Sequence, residues 1–396
     1  MKLGYKRLGD YIQLVDERNR NLEVTNLLGI SVTKNFIPSV ANIVGTDMAN
    51  YKIVRKNQFA CSVMQVRRDK KMPVALYLEN KPSIISQAYP VFEIIDEILL
   101  LPEYLMMWFT RSEFDREACF LAVGGVRGSL EWEDFLNMEL PIPSPEKQRE
   151  LIEEYEAIEN RIQLNKKLCA TLEETAQTIY KHWFEDFEFP DENGKPYQSS
   201  GGEMVECEEL GKEIPRGWRL GNLGEICKNF DSKRIPLSSF ERKDLEKIYP
   251  YYGASSILDF VDKYIFDGTY VLVGEDGTVM TENGTPILQY VVGKFWVNNH
   301  AHVLKATNNF TEESLFLFLK NKNITNKVTG AVQLKINQAN LLSINIIIPQ
   351  RNVIIQFNES MKTIFEKNQN LIIQIEKLEE LKSLLLGKMA VEESAH

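Results

Sequence analysis

Two short stretches carry residue types that take part in catalysis in other proteins. Glu275 and Asp276, followed by Gly277, offer two carboxylates of the kind that hold Mg²⁺ in nucleases. His300 and His302 form an H-x-H pair, and on a strand these alternate positions would face the same side. A tight turn between two strands explains Glu-Asp-Gly better than a nuclease site, and two histidines without a third ligand are weak evidence for zinc or manganese. We therefore assign no metal site.

Signatures of common catalytic and nucleotide-binding sites are absent from the sequence. It contains no G-x-x-x-x-G-K-[ST], G-x-G-x-x-G, G-x-S-x-G or H-E-x-x-H. The five cysteines are scattered and never form C-x-x-C, which favours reduced thiols in a cytoplasm. The sequence shows no apolar run near the roughly 20 residues that span a bilayer and no secretory signal. We expect a cytoplasmic, non-catalytic protein without a membrane span.

Two segments are predicted to form long helices that pack together. From Pro145 and from residue 350, apolar residues recur at alternating steps of four and three, as in a coiled-coil seam. Ser144 and Pro145 supply an N-cap and a first-turn proline. Each helix would contain about 35 residues and extend roughly 50 Å. The polar interruptions of the two seams, which favour one register, are Asn165, Cys169, Asn368 and Lys382.

The two predicted helices belong to an internal repeat. Residues 124–143 align with residues 330–349 at a step of 206. The copies open at Leu8-Gly9-Asp10 and at Leu223-Gly224-Glu225, a step of 215, so their interiors differ in length. Such a repeat suggests a two-fold pseudo-symmetric molecule with two different recognition surfaces. It also favours mutual antiparallel packing of the helices over the alternative, two unrelated amphipathic helices packed on their own domains.

The interiors of both copies read as mixed α/β segments. β-rich runs such as Tyr270–Val273 alternate with turn residues such as Asp267-Gly268, and a helix is predicted near 102–108 and near 313–319. The expected fold class is α+β, with two pseudo-symmetric α/β domains joined and spaced by two long antiparallel coiled-coil helices. The predicted segments are domain 1 (1–144), central helix (145–187), linker (188–217), domain 2 (218–349), distal helix (350–390) and tail (391–396).

The net charge of −10 is unevenly distributed along the chain. Residues 146–217 carry 9 Lys and Arg against 18 Asp and Glu, whereas the two predicted domains are close to neutral. A local basic face on each domain is compatible with these counts. Composition alone therefore neither supports nor excludes DNA binding.

The chain resembles the specificity subunits of type I restriction-modification systems. Residues 141–189 look like the central helical region of that family, and residues 346–389 look like its distal helical region. Residues 250–255, 264–268, 274–277 and 293–302 (GKFWVNNHAH) are similar to the second target-recognition domain. The first recognition domain is more divergent, and its clearest link to the family is the internal repeat.

This resemblance implies a function. Each target-recognition domain would read one half of a split, asymmetric target in double-stranded DNA, with the paired helices as a ruler between the half-sites. The helices would dock two copies of a modification subunit, which binds S-adenosylmethionine and methylates adenine. A separate restriction and motor subunit would use ATP and Mg²⁺, so this chain would carry no cofactor.

Candidate DNA contacts follow from side-chain chemistry. Lys and Arg suit phosphates, while Arg, Lys, Asn and Gln suit base edges. Arg127 and Gln333 give the sharpest hypothesis, because one repeated position would carry two different base-reading groups. The candidate set is Arg67, Arg68, Lys70, Lys71 and Arg127 in the first domain, and Asn298, Asn299, His300, Gln333 and Lys335 in the second.

Two other classes of protein share some of these features. A two-headed adaptor could use the repeated domains to bind protein instead of DNA. A specificity module of a fused, type II-like enzyme would need a methyltransferase or nuclease region, and 396 residues leave no space for one. A DNA shift assay in the presence of a modification subunit separates these classes.

Overall fold

The computed structural model of this chain describes residues 5–39, 46–64, 66–123, 128–330 and 332–390. The chain divides into two compact units, of which unit 2 is continuous in the sequence and unit 1 combines its two ends. Unit 1 combines Met1–Asn165 with Gln374–His396, and unit 2 is Lys166–Ile373. Each unit therefore contains part of both long helices.

Short strands and helices make up unit 1. Its sheets have the strand orders β2-β9-β6-β7 and β4-β3-β8-β5, and β1 pairs with β10 antiparallel. Its elements are β1 (Tyr5–Arg7), β2 (Ile12–Val15), β3 (Leu27–Ile30), β4 (Phe36–Pro38), β5 (Lys52–Val54), β6 (Phe59–Cys61), α1 (Val66–Asp69), β7 (Val74–Leu76), β8 (Ser83–Ile85), β9 (Val91–Ile94), α2 (Pro102–Thr110), α3 (Ser112–Leu121), α4 (Trp132–Asn137), β10 (Glu139–Pro141) and the first part of α5 (Pro145–Phe184).

Aromatic side chains fill the core of unit 1. Phe59 of β6 stacks on Phe92 of β9 with ring centroids 5.1 Å apart, and Phe109 of α2 meets both rings edge-on. All three side chains are fully buried. α2 begins at Pro102, where the missing N–H breaks no helical hydrogen bond. The helix predicted near 102–108 is thus present and packs on the sheet that contains β6.

Unit 2 is built on one larger sheet of strand order β14-β19-β17-β18-β15-β16. β13 pairs with β20, as β1 pairs with β10 in unit 1. Its elements after α5 are β11 (Met204–Cys207), β12 (Lys212–Pro215), β13 (Arg219–Asn222), β14 (Cys227–Asn229), α6 (Ser239–Arg242), β15 (Tyr249–Tyr252), β16 (Ile257–Val261), β17 (Phe266–Gly274), β18 (Leu288–Val297), β19 (Ala301–Ala306), α7 (Glu312–Lys320), α8 (Gln338–Leu342), β20 (Asn345–Ile348) and α9 (Arg351–Lys388), which ends in unit 1.

The central strand β17 is buried on both faces. Val271 and Val273 belong to the larger core with Phe318 of α7, whereas Tyr270 and Leu272 belong to a second cluster on the other face. This division follows from the strand, because successive side chains point to opposite sides of a sheet. A strand that is buried on both faces needs apolar residues at successive positions, which explains the run from Tyr270 to Val273.

The segment 188–217, which the sequence suggests is a linker, forms part of the folded unit 2. Its strands β11 and β12 make an antiparallel hairpin. Phe189 stacks on Trp218 with ring centroids 5.0 Å apart, and Cys207 and Ile214 are buried in the same core. A few apolar side chains anchor a segment whose exposed residues are polar.

The two long helices run antiparallel where they meet within unit 1. Lys382 of α9 bonds Glu159 of α5 with an N–O distance of 2.9 Å. Asn165, further along α5, donates to Gln374, which is earlier in α9. Asn165 is fully buried, and its carbonyl oxygen has no hydrogen-bond partner among the described residues. This polar seam residue thus lies inside the helix interface, as the heptad pattern predicts.

The helices also run antiparallel within unit 2. Trp183 near the end of α5 packs on Phe357 near the start of α9, with ring centroids 5.6 Å apart. Leu172 and Asn368, one from each helix, line a shared cavity of about 160 Å³. Both units contain a matching strand pair, and their long helices begin 206 residues apart. These observations confirm the expected fold class.

Candidate DNA interface

In unit 1, two backbone hydrogen bonds hold the loop segment that starts at Gly128. Leu130 N donates to Val63 O at 2.9 Å, and Arg67 N donates to Gly128 O at 3.1 Å. Gly128 has a φ of +66°, and a Cβ there would lie 2.4 Å from the Cβ of Arg67. Glycine therefore allows the basic segment to approach this loop closely. Arg127 itself lies outside the described residues.

The basic segment of unit 1 lies next to that loop. Arg67 and Arg68 belong to α1, Lys70 and Lys71 follow it, and all four side chains are exposed. Arg68 pairs with Asp69 at 2.7 Å. The other three cations form no ion pair with any residue in the described part of the chain. They remain available for phosphate groups.

A buried ion pair fixes the end of this basic segment. Asp115 of α3 accepts from Met72 N at 3.1 Å and from Lys34 Nζ at 2.8 Å, and Lys34 Nζ also donates to Phe109 O. Burial lowers the pKa of the Lys34 amine, and its hydrogen bond to Asp115 opposes that shift. The anchor ties the basic loop to the core of unit 1.

In unit 2, the equivalent loop is held by the same two kinds of backbone hydrogen bond. Ile336 N donates to Glu275 O at 2.9 Å, and Gly277 N donates to Leu334 O at 3.0 Å. Positions 334 and 336 follow positions 128 and 130 at the repeat step of 206. The repeat seen in the sequence therefore corresponds to repeated loop geometry.

Gln333 and Lys335 lie on a short hairpin in this loop. Thr329 and Lys335 exchange two backbone hydrogen bonds of 2.8 Å. Gly330 has a φ of +96°, and a Cβ there would lie 2.1 Å from Gln333 O. Gln333 and Lys335 are exposed, and Val332 beside them is fully exposed. The hairpin therefore presents one amide, one ammonium and one apolar group to the solvent.

The second group of candidates forms the turn between β18 and β19. Asn298 is only 4% exposed, and its Oδ1 accepts from His300 N at 2.8 Å, so this side chain shapes the turn. Asn299 and His300 are exposed. His300 Nδ1 lies 2.5 Å from Asp276 Oδ1. Because an ionised carboxylate only accepts, Nδ1 donates in this bond.

Four charged side chains lie beneath these two loops: Asp231, Arg234, Glu275 and His302, here called the charged quartet. Arg234 Nη1 lies 2.7 Å from Glu275 Oε2, and His302 Nδ1 lies 2.5 Å from Asp231 Oδ2. Their side chains are between 1% and 13% exposed. Burial would raise the pKa of the Asp231 carboxyl, but the hydrogen bond and charge of His302, together with the hydrogen bonds from Val303 N and Asn229, lower it.

The quartet contains the ligand types of a metal site, yet its geometry does not suit one. Ligand atoms of Asp231, Glu275 and His302 lie within 4.8 Å of one another. However, His302 Nδ1 lies 2.5 Å from Asp231 Oδ2 and Nε2 lies 2.9 Å from Ile336 O, so both ring nitrogens are already engaged within the protein. The Arg234 guanidinium, 2.7 Å from Glu275 Oε2, supplies positive charge beside the carboxylates.

The sequence indicates the exposed loops but not the buried charged quartet that supports them. Asp231 and Arg234 lie in an Asp-Ser-Lys-Arg stretch without a recognisable pattern. They meet Glu275 and His302 only through the pairing of β14, β17 and β19. Asp276, in the Glu-Asp-Gly stretch for which the sequence favours a turn, follows β17 and is bridged to Lys335.

Comparisons with known proteins agree with this architecture. The family described as type I restriction modification DNA specificity domain matches residues 66–174 and 215–384, more than half of the chain. A type I restriction enzyme specificity subunit of Haemophilus influenzae is 36% identical over 131 residues, 33% of each chain. The MjaIX specificity subunit of Methanocaldococcus jannaschii is 26% identical over 317 residues, 74% of this chain and 70% of that one.

A solved structure shows the same fold. The type I restriction-modification S subunit from M. genitalium aligns over 98% of this chain and 95% of its own, with a TM-score of 0.56 and 14% identity. Within the described residues, each helix is too short or too polar to cross a membrane. On the strength of the family match, the chain belongs to the specificity subunits of type I restriction-modification systems.

Proposed function

We propose that this chain reads a split, asymmetric DNA target, with one half-site for each domain. One observation supports the proposal: at positions one repeat step apart, the two units form the same two kinds of backbone hydrogen bond, and the sequence places a different polar group, Arg127 or Gln333, directly before them. Arg127 would suit guanine and Gln333 would suit adenine, since these are their common bidentate partners. Exposed cations beside each loop would bind phosphates.

The long helices would set the spacing between the half-sites. α5 contains 40 residues, and a helix of that length extends about 60 Å at about 1.5 Å per residue. One turn of B-DNA covers about 34 Å. Helices of this length therefore fit a target in which a few unread base pairs separate two short half-sites.

Each unit also offers a groove suited to a partner protein. In unit 1 a cavity of about 780 Å³ is lined by Glu103 of α2 and by Ile152 and Glu156 of α5. In unit 2 a cavity of about 630 Å³ is lined by the corresponding helices α7 and α9. Asn358 and Lys362 there match Ile152 and Glu156 at the repeat step.

Two related grooves in one chain favour two copies of one partner, and we assign them to the modification subunit. That subunit would bind S-adenosylmethionine and methylate adenine in the target, while a restriction and motor subunit in the same complex would use ATP and Mg²⁺. The present chain would select the DNA sequence without catalysing a step, and it would act on DNA in the cytoplasm.

Methylome sequencing of cells with and without this gene tests the proposal directly. We expect methylated adenines in one split motif, present only when the chain is expressed. Gln333→Ala should weaken discrimination in the second half of that motif by about tenfold, because a bidentate base contact is worth about 1–3 kcal/mol. The first half should keep its preference and serves as the internal control.

An unchanged methylome on deletion of the gene would contradict the proposed function. An unchanged second half-site in Gln333→Ala would contradict only the assignment of this residue. If the chain were instead a two-headed adaptor that binds protein, deletion of the gene should leave the methylome unchanged.

A further inference from the structure

We infer that Arg234 and Glu275 are positioning residues for base reading by the second domain, an inference that rests on the proposed function. Arg234 Nη1 donates to Glu275 Oε2 and to Ala301 O, each at 2.7 Å. Glu275 begins the turn after β17, and Ala301 directly follows His300. A single guanidinium thus joins the turn to the loop that presents His300.

Glu275 also links that turn to the hairpin with Gln333. Its backbone carbonyl accepts from Ile336 N at 2.9 Å, and its backbone N–H donates to His300 O at 2.8 Å. Its second carboxylate oxygen lies 3.4 Å from Lys335 Nζ. Glu275 therefore contacts both loops that carry exposed base-reading candidates. A shift of this residue would move His300 and Lys335 relative to each other.

Neither residue of the pair is placed to bind DNA itself. Each side chain is 13% exposed, and the guanidinium donors of Arg234 are directed at protein acceptors. Base selection by this pair would thus act through His300 and Lys335, which are exposed. We therefore expect an effect on sequence preference rather than the loss of one phosphate contact.

The charge balance of the quartet supports a role in geometry rather than stability. The buried Arg234 guanidinium lies 2.7 Å from the Glu275 carboxylate and 3.5 Å from that of Asp231. Networks of this kind rarely stabilise a fold more than apolar side chains of similar size, although loss of one partner is costly. Their directional hydrogen bonds, however, restrict the loops to one arrangement, which is what discrimination between bases requires.

The first domain supplies a natural comparison. The carbonyl that accepts from Leu130 N there belongs to Val63, at the position that Glu275 occupies in the second domain. The first domain therefore holds its loop without a carboxylate at this point. Disruption of the Arg234–Glu275 pair should alter only the second half-site.

The test uses the full chain assembled with its modification subunits and a pool of DNA duplexes with randomised half-sites. Bound duplexes are sequenced for the wild type, Arg234→Met, Arg234→Lys and Glu275→Gln. We expect Arg234→Met and Glu275→Gln to lose about tenfold in discrimination at the second half-site only. Arg234→Lys should retain part of it, since lysine keeps the charge but lacks the fork of donors.

A double variant separates positioning from stability. Arg234→Met with Glu275→Leu leaves no unpaired charge from this pair, so its melting temperature should lie close to that of the wild type. Its discrimination between bases at the second half-site should nevertheless remain as low as in Arg234→Met. If the double variant recovers both stability and preference, the pair is merely structural and the inference is wrong.

Other outcomes are equally decisive. Lys233→Met, which removes a neighbouring exposed cation outside the quartet, should leave base preference unchanged. Equal loss at both half-sites in Arg234→Met, or full preference in that variant, would overturn the inference. If the wild type selects no split motif, the proposed function fails and this inference fails with it. If the wild type selects a split motif and the variants select the same one, only the inference is rejected.

Discussion

At the scale of single residues, each of the two candidate loops is held in part by backbone hydrogen bonds, which do not require a particular side chain. Val63 and Glu275 accept the corresponding hydrogen bond through their backbone carbonyls, and Leu130 and Ile336 donate it through their backbone N–H groups. Backbone contacts of this kind survive substitution. Exposed side chains such as Gln333 can therefore change without loss of these backbone contacts, whereas in the second domain Arg234 and Glu275 add side-chain contacts to them.

Gly330 provides a prediction at this scale. Gly330→Ala should strain the backbone by about 1–3 kcal/mol and should also displace Gln333, because the new Cβ would lie 2.1 Å from Gln333 O. We expect a lower melting temperature and reduced discrimination at the second half-site, measured with the randomised duplexes.

Gly293 in β18 is a matched control for this change. Its φ of +95° is almost the same, but a Cβ there would meet no described atom within 4 Å. Gly293→Ala should lower the melting temperature without altering the motif. The same change in motif from both variants would mean that general destabilisation, not the hairpin, determines base preference.

At the scale of elements, the sequence predicted what depends on local pattern. The heptad seam and Ser144-Pro145 predicted a helix from residue 145, and α5 begins at Pro145. The repeat predicted a matching helix near 350, and α9 begins at Arg351. Periodicity and capping are properties of neighbouring residues, so both can be recognised without knowledge of tertiary contacts.

Features that depend on distant residues could not be predicted in this way. The hairpin within 188–217 is anchored by Phe189 against Trp218, and its local composition resembles a linker. Arg234 meets Glu275 across 41 positions, and Asp231 meets His302 across 71. No local pattern marks these pairs. The exposed half of the candidate interface was therefore predictable, but the network beneath it was not.

Asn165 gives a prediction at the scale of the helix pair. Its buried carbonyl oxygen has no partner among the described residues, so Asn165→Leu should raise the free energy of unfolding by about 1 kcal/mol or more. The same change removes a polar group that favours one register. We expect a higher melting temperature together with additional oligomeric species in sedimentation velocity experiments.

Asn160→Leu on the same helix is the control. Asn160 is exposed, so its replacement should change neither the melting temperature nor the sedimentation profile. A single species with unchanged stability in Asn165→Leu would show that Asn165 neither destabilises the seam nor selects its register.

At the scale of the whole molecule, the two cores are not built from successive halves of the sequence. The first and last segments of the sequence build unit 1 together, because Leu385 and Leu386 of α9, and Met389 just after it, lie in the same core as Leu151 of α5. Unit 2 lies between these segments in the sequence. The core of unit 1 therefore includes residues from the end of α9.

This arrangement predicts that a substitution near residue 385 weakens recognition by a domain that begins at the other end of the sequence. Leu385 is 5% exposed, whereas its neighbour Leu384 is 65% exposed. Leu385→Ala should cost unit 1 about 2–5 kcal/mol, the usual range for a buried leucine. Leu384→Ala should have little effect.

Hydrogen exchange should accelerate around Phe92 and Phe109 in Leu385→Ala but not around Val271, which lies in the core of unit 2. Discrimination at the first half-site should fall while the second half-site is preserved. Faster exchange in unit 2 alone, or a change confined to the second half-site, would contradict the assignment of this helix end to the first domain.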